Sequence, residues 1–330
     1  MYLRFHIKTK VKKSQRKIEG SEYHMPITRR QFLKICAGSG IAIGASGTLL
    51  PEIVGALEKA AAGNPPVLWI QGGGCTGCSV SLLNTVHPNI AEVLLKIISL
   101  KYHPTVMASA GEKAFDYLYA TAEKNKNKFF MAVEGTIPTA VNGKYCVPGE
   151  LHGKEITMVQ MMKDLGSKAA AVLALGQCAA YGGIPAAEPN PTGSKSVMEF
   201  FKDNGIKAPV INIPGCPPHP DWMVGTIAHV LLFGIPQLDS DGRPQLFYGT
   251  LVHDNCPYRS YYEEKKFAKT FGEEGCRLEL GCKGPESFAD CWKRGWNNNV
   301  NWCIHNSLCL GCTQPGYPDK FSPMYVKTSG

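Results

Sequence analysis

Thirteen cysteines constrain this 330-residue chain more than any other feature, because eleven of them fall in patterns typical of metal ligands. Cys-x-x-Cys pairs begin at Cys75 and Cys309, and a His-x-x-Cys pair begins at His253. From residue 253 to residue 312, a cysteine or histidine of this kind occurs about every eight positions, a density that a packed core does not explain. Three kinds of site remain open at this point: disulfides, zinc sites and iron–sulfur clusters.

Residues 63–234 alternate short apolar runs with helix-length amphipathic segments, which predicts an α/β fold with a parallel sheet covered by helices. Strands are predicted at 67–71, 105–109, 129–133, 170–175 and 210–213, and helices at 90–99, 112–125, 156–165, 195–203 and 221–233. Five β-α units of this kind indicate a flavodoxin-like open sheet. Residues 235–330 are rich in Pro, Gly, Asn and Cys, which predicts a smaller, loop-rich domain held together by something other than a core.

Four cysteines are predicted to lie at one edge of this sheet. Cys75 and Cys78 follow the first predicted strand, Cys178 follows the fourth and Cys216 follows the fifth. Ligands of open α/β sheets gather at the carboxyl ends of the strands, so the four thiols are expected to converge. Four thiolates fit a 4Fe–4S cluster, although tetrahedral zinc takes the same number of ligands. Glu134 ends the third strand at the same edge, where its carboxylate could bond the backbone or face a partner protein.

Residues 1–62 are interpreted as an export signal and leader. Residues 1–34 hold ten Lys/Arg against two Glu, which accounts for the whole formal charge of +8, so the remaining chain is near neutral and no nucleic-acid partner is expected. The segment TRRQFLK (28–34), an apolar run over 35–50 and three alanines at 60–62 resemble a twin-arginine signal. The alternative is a membrane anchor, but glycines interrupt this short run. The export signal predicts that the protein is periplasmic. No later apolar run is comparable in length, so the protein is expected to have no membrane anchor of its own.

Several motifs resemble the small subunit of nickel–iron hydrogenases: CTGCS (75–79), EGTIPT (134–139), GQCAAYGGI (176–184), GCPPHPDW (215–222), GCKGP (281–285) and CLGC (309–312). The chain is most similar to the nickel–iron–selenium, periplasmic branch. This resemblance implies an electron-transfer subunit whose large-subunit partner carries a Ni–Fe(Se) centre for reversible H2 oxidation. It also implies a c-type cytochrome or another redox protein as the external electron partner, and any membrane association would go through a further subunit.

The same resemblance implies three clusters that bind iron through twelve ligands. The proximal 4Fe–4S set is Cys75, Cys78, Cys178 and Cys216. The distal 4Fe–4S set is His253, Cys256, Cys276 and Cys282. The medial set is Cys291, Cys309 and Cys312, with Cys303 as a fourth ligand. Many relatives have proline where Cys303 stands and hold a medial 3Fe–4S cluster. A fourth thiolate therefore predicts a medial 4Fe–4S cluster of lower potential; the alternative is a spare buried thiol beside a 3Fe–4S cluster.

Other assignments remain open. Thr76, between two proximal ligands, could take part in a proton step or make a hydrogen bond within the turn. Cys146 belongs to no set and is interpreted as a structural or free thiol, and Cys36 lies in the leader. Two alternative functions remain. An electron-transfer subunit of another redox complex would explain residues 63–234 only. An exported binding protein stabilised by disulfides would lack iron–sulfur clusters, and the purified protein would therefore be colourless. No nucleophile, general base or nickel site is evident, so the catalytic centre is expected in the partner.

Overall fold

Five parallel strands form the central sheet of the computed structural model, which describes residues 66–86, 89–94, 98–296 and 303–326. The predicted export segment and residues 301–302 lie outside the described residues. The strands are, in chain order, β1 (Pro66–Gln71), β2 (Ser99–Tyr102), β3 (Phe130–Glu134), β4 (Ile137–Pro138), β5 (Gly149–Leu151), β6 (Lys154–Ile156), β7 (Ala171–Leu175), β8 (Ser194–Lys195) and β9 (Val210–Ile213). Short antiparallel pairs join β4 to β8 and β5 to β6.

The central sheet has the spatial order β2-β1-β3-β7-β9. Counted within this sheet alone, that is the 2-1-3-4-5 order of flavodoxin-like folds, so the predicted fold class is confirmed. β7 reads AVLAL and is buried along its whole length, as expected for a strand covered on both faces. The register aligns the last residues of four neighbouring strands, Gln71, Glu134, Leu175 and Ile213, in one row across the sheet. The loops that follow this row carry the proximal cysteines.

The helices of the described residues are α1 (Gly77–Leu83), α2 (Ile90–Glu92), α3 (Gly111–Lys124), α4 (Met158–Gly166), α5 (Gly176–Tyr181), α6 (Val197–Asp203), α7 (Pro220–Phe233), α8 (Gln245–Tyr248), α9 (Arg259–Glu263), α10 (Cys291–Arg294) and α11 (Cys303–Asn306). Single 3-10 turns lie at 140–143, 184–186, 253–255, 277–280, 284–286 and 319–321. The side chains of Thr157 and Ser196 cap α4 and α6, and Glu199 completes a capping box on α6.

The second predicted strand was wrong in position. The chain forms β2 at Ser99–Tyr102 rather than at 105–109, and this also cuts short the helix predicted over 90–99, which the structure describes as α2. Pro104 follows at once and has no N–H for the sheet, while the Thr105 N–H donates to the His103 ring rather than to a strand. The tyrosine that ends β2 is buried against Phe115 of α3, so packing selected the earlier segment.

Two hydrophobic cores cover the two faces of the sheet. Leu68 and Ile70 of β1 face α3, α4 and α6, whereas Val67 and Trp69 face α7. Side chains from the loop-rich segment after α7 join the second of these faces; they include Phe247, Tyr248, Val252, Ala289 and Ile304. The expectation that no core holds this segment is therefore corrected: its described residues share a core with the sheet, which fixes the segment against the face that α7 covers.

Candidate iron–sulfur sites

The proximal cysteines come from three loops at the carboxyl edge of the sheet. Cys75 precedes α1, Cys78 lies in its first turn, Cys178 lies in α5 and Cys216 follows β9. The Gln177 N–H donates to the Gly215 carbonyl at 2.8 Å, which joins the second and third loops. A Cβ on Gly176 (φ +83°) would lie 2.3 Å from the Cys78 sulfur, so glycine is required where α5 passes this thiol.

Electrostatics link the four proximal thiols to one another. Burial raises the pKa of Cys78 well above its ordinary value, and Glu134 and the thiolates of Cys178, Cys75 and Cys216 raise it further. Burial, followed by the neighbouring Cys216 and Cys75 thiolates, raises the pKa of Cys178 to about 12. Such thiols do not ionise at neutral pH by themselves. A bound cation makes them thiolates, because its charge replaces the missing solvation.

Glu134 accepts hydrogen bonds from backbone N–H groups at the start of α1. It is 3% exposed, and its Oε1 accepts the backbone N–H groups of Cys78 (2.9 Å) and Ser79 (3.0 Å). Its Oε2 accepts from the Trp69 indole N–H (3.0 Å), the Gln71 amide (3.1 Å) and the Ser79 hydroxyl (2.5 Å). Of the two roles considered for this carboxylate, the contacts in the chain are those of the backbone-bonding role.

A buried histidine extends this network. His103 is 3% exposed and stacks on Trp69 with ring centroids 5.0 Å apart. Its Nδ1 accepts the Thr105 N–H at 3.1 Å, so the ring hydrogen is on Nε2 and donates to the Ser79 hydroxyl at 3.2 Å. Burial lowers the pKa of His103 to about 4, against a smaller opposing effect of Glu134, so the ring is neutral at physiological pH.

Thr76 adopts a left-handed backbone conformation (φ +66°) between the two ligand cysteines of the first loop, and its side chain makes no capping hydrogen bond to α1. A β-branched residue rarely adopts this conformation, which costs on the order of 1–3 kcal/mol. The turn thus stores strain where the chain must bring Cys75 and Cys78 to one point. The turn hydrogen bond considered for Thr76 is absent at the helix start.

The four predicted distal ligands line one narrow pocket, together with Val252, Leu278 and Ile304: they are His253, Cys256, Cys276 and Cys282. The Tyr258 N–H and the Gly284 N–H each donate to a cysteine sulfur of this pocket at 3.4 Å, the kind of contact that stabilises a bound thiolate. Burial lowers the pKa of His253, which favours the neutral, metal-binding imidazole. The His253 ring lies edge-on to Tyr262, with centroids 4.6 Å apart.

The four predicted medial ligands, Cys291, Cys303, Cys309 and Cys312, all line a cavity of about 350 Å³. By surface area Cys309 is buried, Cys312 is half-buried and Cys303 is exposed, yet the atoms packed around each sulfur desolvate it and raise all three pKa values to about 12. The next cause for Cys303 is the Cys309 thiolate, and for Cys312 it is the Cys303 thiolate. Cys303 is therefore an electrostatic neighbour of the two cysteines of the CLGC motif, whereas a spare thiol could lie anywhere in the core.

The medial set has neighbours in both other sets. Cys216 of the proximal set also lines the medial cavity, and its thiolate contributes to the raised pKa of Cys312. The thiolate of Cys282 in the distal set contributes to the raised pKa values of Cys303 and Cys309. The medial set therefore adjoins both the proximal and the distal set, although it comes last in the chain.

A buried ion cluster supports the helix that carries Cys291. Arg294 donates through Nε and Nη2 to the two carboxylate oxygens of Asp290 (2.9 and 2.7 Å) and through Nη1 to Asp221 of α7 (3.0 Å). The Trp222 indole N–H donates to Asp290 at 2.7 Å. These bonds tie the medial site to α7, and removing one ionic partner from such a cluster leaves a buried charge without its counter-charge.

A second buried arginine, Arg243, donates hydrogen bonds to the segment that follows Cys312. Its side chain is 5% exposed, and it pairs with Asp239 (2.7 Å) and Asp241 (3.0 Å). Its Nη1 donates to the Thr313 carbonyl at 3.1 Å. No pattern in the sequence indicates this contact, because the partners lie 70 residues apart.

Cys146 is the one cysteine outside the three sets among the described residues. All twelve cysteines from Cys75 to Cys312 are free of disulfides. Cys146 packs against the core that faces α3 and α4, and burial raises its pKa. Within the described ranges, no three His, Cys, Asp or Glu side chains converge tightly enough to chelate a single metal ion. The thiols are arranged around pockets rather than around a point.

Family models match both halves of the chain. The model described as the 20 kDa subunit of NADH ubiquinone oxidoreductase matches residues 75–230, and the model of the C-terminal region of NiFe/NiFeSe hydrogenase small subunits matches residues 248–325. The second match covers the cysteine-rich segment that a subunit of another redox complex was expected to lack.

Known relatives match over most of their length. The periplasmic [NiFeSe] hydrogenase small subunit of Desulfomicrobium baculatum is 53% identical over 92% of this chain and 99% of its own. The periplasmic [NiFe] hydrogenase small subunit of Solidesulfovibrio fructosivorans is 41% identical over 91% and 93%. The crystal structure of the reduced, active Ni-Fe-Se hydrogenase from Desulfomicrobium baculatum matches with a TM-score of 0.78 at 56% identity, over 80% of this chain and 99% of that one.

A flavodoxin-like sheet edged with thiols, joined to a second thiol-lined region, defines an iron–sulfur electron-transfer protein. The chain belongs to the NiFe/NiFeSe hydrogenase small-subunit family. It is accordingly the electron-transfer subunit of a hydrogenase, the partner of a large subunit that carries the Ni–Fe centre.

Proposed function

We propose that this subunit relays electrons between a Ni–Fe(Se) site in the large subunit and an external redox protein through three clusters. The proximal cluster would be held by Cys75, Cys78, Cys178 and Cys216, and the distal cluster by His253, Cys256, Cys276 and Cys282, both as 4Fe–4S. This ligation is supported by the shared neighbours of the three sets: Cys216 lines the medial cavity, and the Cys282 thiolate raises the pKa values of Cys303 and Cys309. Short steps matter because electron transfer weakens steeply with distance.

The medial cluster is proposed to be 4Fe–4S, with Cys303 as the fourth ligand beside Cys291, Cys309 and Cys312. The observation that carries this proposal is the cavity of about 350 Å³ that all four cysteines line. When bound, each cluster supplies a reversible one-electron centre. The chain's own part is to ligate iron, to donate N–H groups to ligand sulfurs and to exclude water with an aromatic wall that includes Trp222, Trp296 and Tyr317.

The proximal edge is proposed to dock the large subunit. Cys75 and Cys216 are exposed in the isolated chain, and they lie among exposed apolar side chains: Val80 (56%), Leu83 (45%) and Ile184 (57%). Apolar surface of this kind is typical of a stable subunit interface. Glu134 lies directly beneath this edge, so an interface role for it would be indirect, through the position of α1.

Electrons are proposed to leave beside His253, which is half-buried and next to the exposed Asp254, towards a c-type cytochrome or another redox protein. We place the protein in the periplasm, exported by the twin-arginine route with residues 1–62 as signal and leader, as the names of its relatives suggest for the location. Residues 63–234 and 235–330 would form the two domains. Among the described residues, no helix has the length and apolar character that crossing a bilayer requires.

Metal analysis and electron paramagnetic resonance of the purified heterodimer test the ligand sets. Three four-iron clusters predict about twelve irons per small subunit in addition to the active site. The variant Cys303→Ala is expected to lose about one iron and to show a 3Fe–4S signal when oxidised, because three thiolates hold three irons. Cys146→Ala is the matched control, a half-buried thiol outside every set, and should change neither quantity. A 3Fe–4S signal in the oxidised wild-type protein would contradict the medial assignment.

A further inference from the structure

The helix that carries Cys303 cannot hold its own position. α11 spans four residues, Cys303–Asn306, and its single turn is closed by the Ser307 N–H donating to the Cys303 carbonyl at 2.8 Å. A helix this short has no intrinsic stability, since forming one turn orders several residues for one hydrogen bond. The cysteine is its first residue, so any movement of the turn moves the sulfur. Contacts from outside the helix must therefore hold this ligand.

Arg277 makes such contacts. Its Nη1 donates to the carbonyl oxygens of Ile304 and Ser307, the latter at 2.5 Å, and its Nη2 donates to the His305 carbonyl at 3.3 Å. These are carbonyls that the end of a helix leaves without an internal partner. A guanidinium is suited to gather them, because it carries five N–H donors in a rigid plane and no acceptor.

The guanidinium is itself held in place from the distal side. Its Cζ lies 4.6 Å from the centroid of the Tyr258 ring, and its Nη2 lies 3.4 Å from the hydroxyl of the same tyrosine. Arg277 directly follows the distal ligand Cys276 and lines the distal pocket together with Tyr258 and Ile304. The arginine thus joins the distal pocket to the turn that carries a medial ligand.

We propose that Arg277 is a positioning residue that keeps Cys303 at the medial site and so determines whether the medial cluster retains four irons. The inference rests on the proposed four-cysteine medial ligation. Ile304 (2% exposed) and Leu308 (buried) anchor the apolar side of the segment, which restrains its depth. The three carbonyl bonds restrain its rotation, and rotation about the helix axis is the movement that turns the Cys303 sulfur away from the cavity.

Displacement of the Cys303 thiolate is expected to convert the four-iron cluster into a three-iron cluster, with every iron and electron accounted for. When the fourth thiolate is displaced, Fe²⁺ leaves a [4Fe–4S]²⁺ cluster, and a [3Fe–4S]⁰ cluster remains. Ferricyanide then removes one electron from this product and yields the paramagnetic [3Fe–4S]⁺ state. The iron lost and the spin gained can both be counted, independently of hydrogenase activity.

The experiment uses the intact heterodimer with Arg277→Met, which keeps most of the side-chain length but removes every donor, and Arg277→Lys, which keeps the charge and some donors. After ferricyanide treatment, Arg277→Met is expected to show a 3Fe–4S signal of at least about half the intensity found in Cys303→Ala, with loss of up to about one iron, and Arg277→Lys a weaker one. The matched control is Arg259→Met, which removes an arginine of the same region that pairs with Asp254 and Glu263 instead. It should show no such signal.

Each result has a distinct meaning. If Cys303→Ala produces the three-iron signal and neither Arg277 variant does, the positioning role is overturned while the medial ligation stands. If wild-type protein already shows the signal, or Cys303→Ala leaves the iron count unchanged, the proposed ligation itself fails. If Arg277→Met does not assemble, Arg277→Lys decides: an absent signal overturns the inference, and a partial signal that Arg259→Met lacks supports it.

Discussion

Replacing Glu134 by alanine is expected to loosen the helix that carries Cys78. The carboxylate accepts the backbone N–H groups of Cys78 and Ser79 at 2.9 and 3.0 Å, and α1 spans only Gly77–Leu83. A hydrogen bond to a charged group contributes about 1.5–3 kcal/mol, so the two bonds together are worth about 3 kcal/mol even if water enters the space. The opening of α1 should become about 100-fold more frequent, since each 1.4 kcal/mol is a factor of ten.

The conservative variant Glu134→Gln separates geometry from charge. Its carbonyl oxygen can replace Oε1 towards the two backbone N–H groups, while the weaker neutral acceptor costs about 1 kcal/mol, or roughly fivefold in opening. Its NH2 group would meet the Trp69 indole N–H at the Oε2 position, donor against donor. Glu134→Gln is therefore expected to fall between wild type and Glu134→Ala.

Amide hydrogen exchange of the intact heterodimer, followed by mass spectrometry, measures this directly. The peptide covering residues 76–84 should exchange faster in the order wild type, Glu134→Gln, Glu134→Ala, while the α3 peptide (111–124) stays unchanged. Glu199→Gln is the control: it weakens the capping box of α6 and should affect only that helix. Equal exchange of the 76–84 peptide in wild type and Glu134→Ala would refute the reasoning that this carboxylate holds α1.

Further predictions concern packing, buried charge and pH. Gly176→Ala should reduce iron by about four per subunit, because its Cβ would lie 2.3 Å from the Cys78 sulfur, whereas Gly205→Ala, at φ +65° with open space around it, should keep all iron in the same analysis. Arg294→Met should destabilise the heterodimer by about 3–5 kcal/mol, measured by denaturant titration, because the Asp290 carboxylate stays buried without a counter-charge; an unchanged midpoint would contradict this. The pKa of His103 is about 4 in the folded protein and 6.5 in the unfolded chain, so the unfolded chain binds a proton first as pH falls. The free energy of unfolding is therefore full above pH 6.5 and decreases towards pH 4 by up to about 3 kcal/mol. His103→Gln should flatten the pH dependence of the denaturation midpoint in that window, and an unchanged slope would exclude this role.

Parts of the fold were predictable because their signals are local. The runs that became β1, β3, β7 and β9 are apolar over their whole length, as buried parallel strands must be, and α3 and α7 carry long helical patterns. β2 was misplaced at 105–109 because the contact of Tyr102 with Phe115, which favours the segment before Pro104, joins residues that no local pattern links. The helices α1 and α5 were missed because they are short and begin at glycines, and glycine has a low helix propensity.

The candidate site divides in the same way. The carboxyl-edge rule predicted that Cys75, Cys78, Cys178 and Cys216 would meet, since strand order follows from the β-α pattern. The Ser79–His103 contact and the carbonyl contacts of Arg277 had no sequence signal, because each joins residues 24 or more positions apart that share no motif.

The sequence by itself identified the candidate iron ligands and, through its motifs, the protein family, because ligand type and spacing are properties of the chain. Only the tertiary structure decided what surrounds those ligands. The medial set adjoins both other sets although it is last in sequence, since folding brings Cys216 and Cys282 next to its cysteines. Buried polar partners such as Glu134, Arg294 and Arg277 also emerged only there. Their bonds depend on which distant backbone groups packing leaves without water, and no local pattern encodes that.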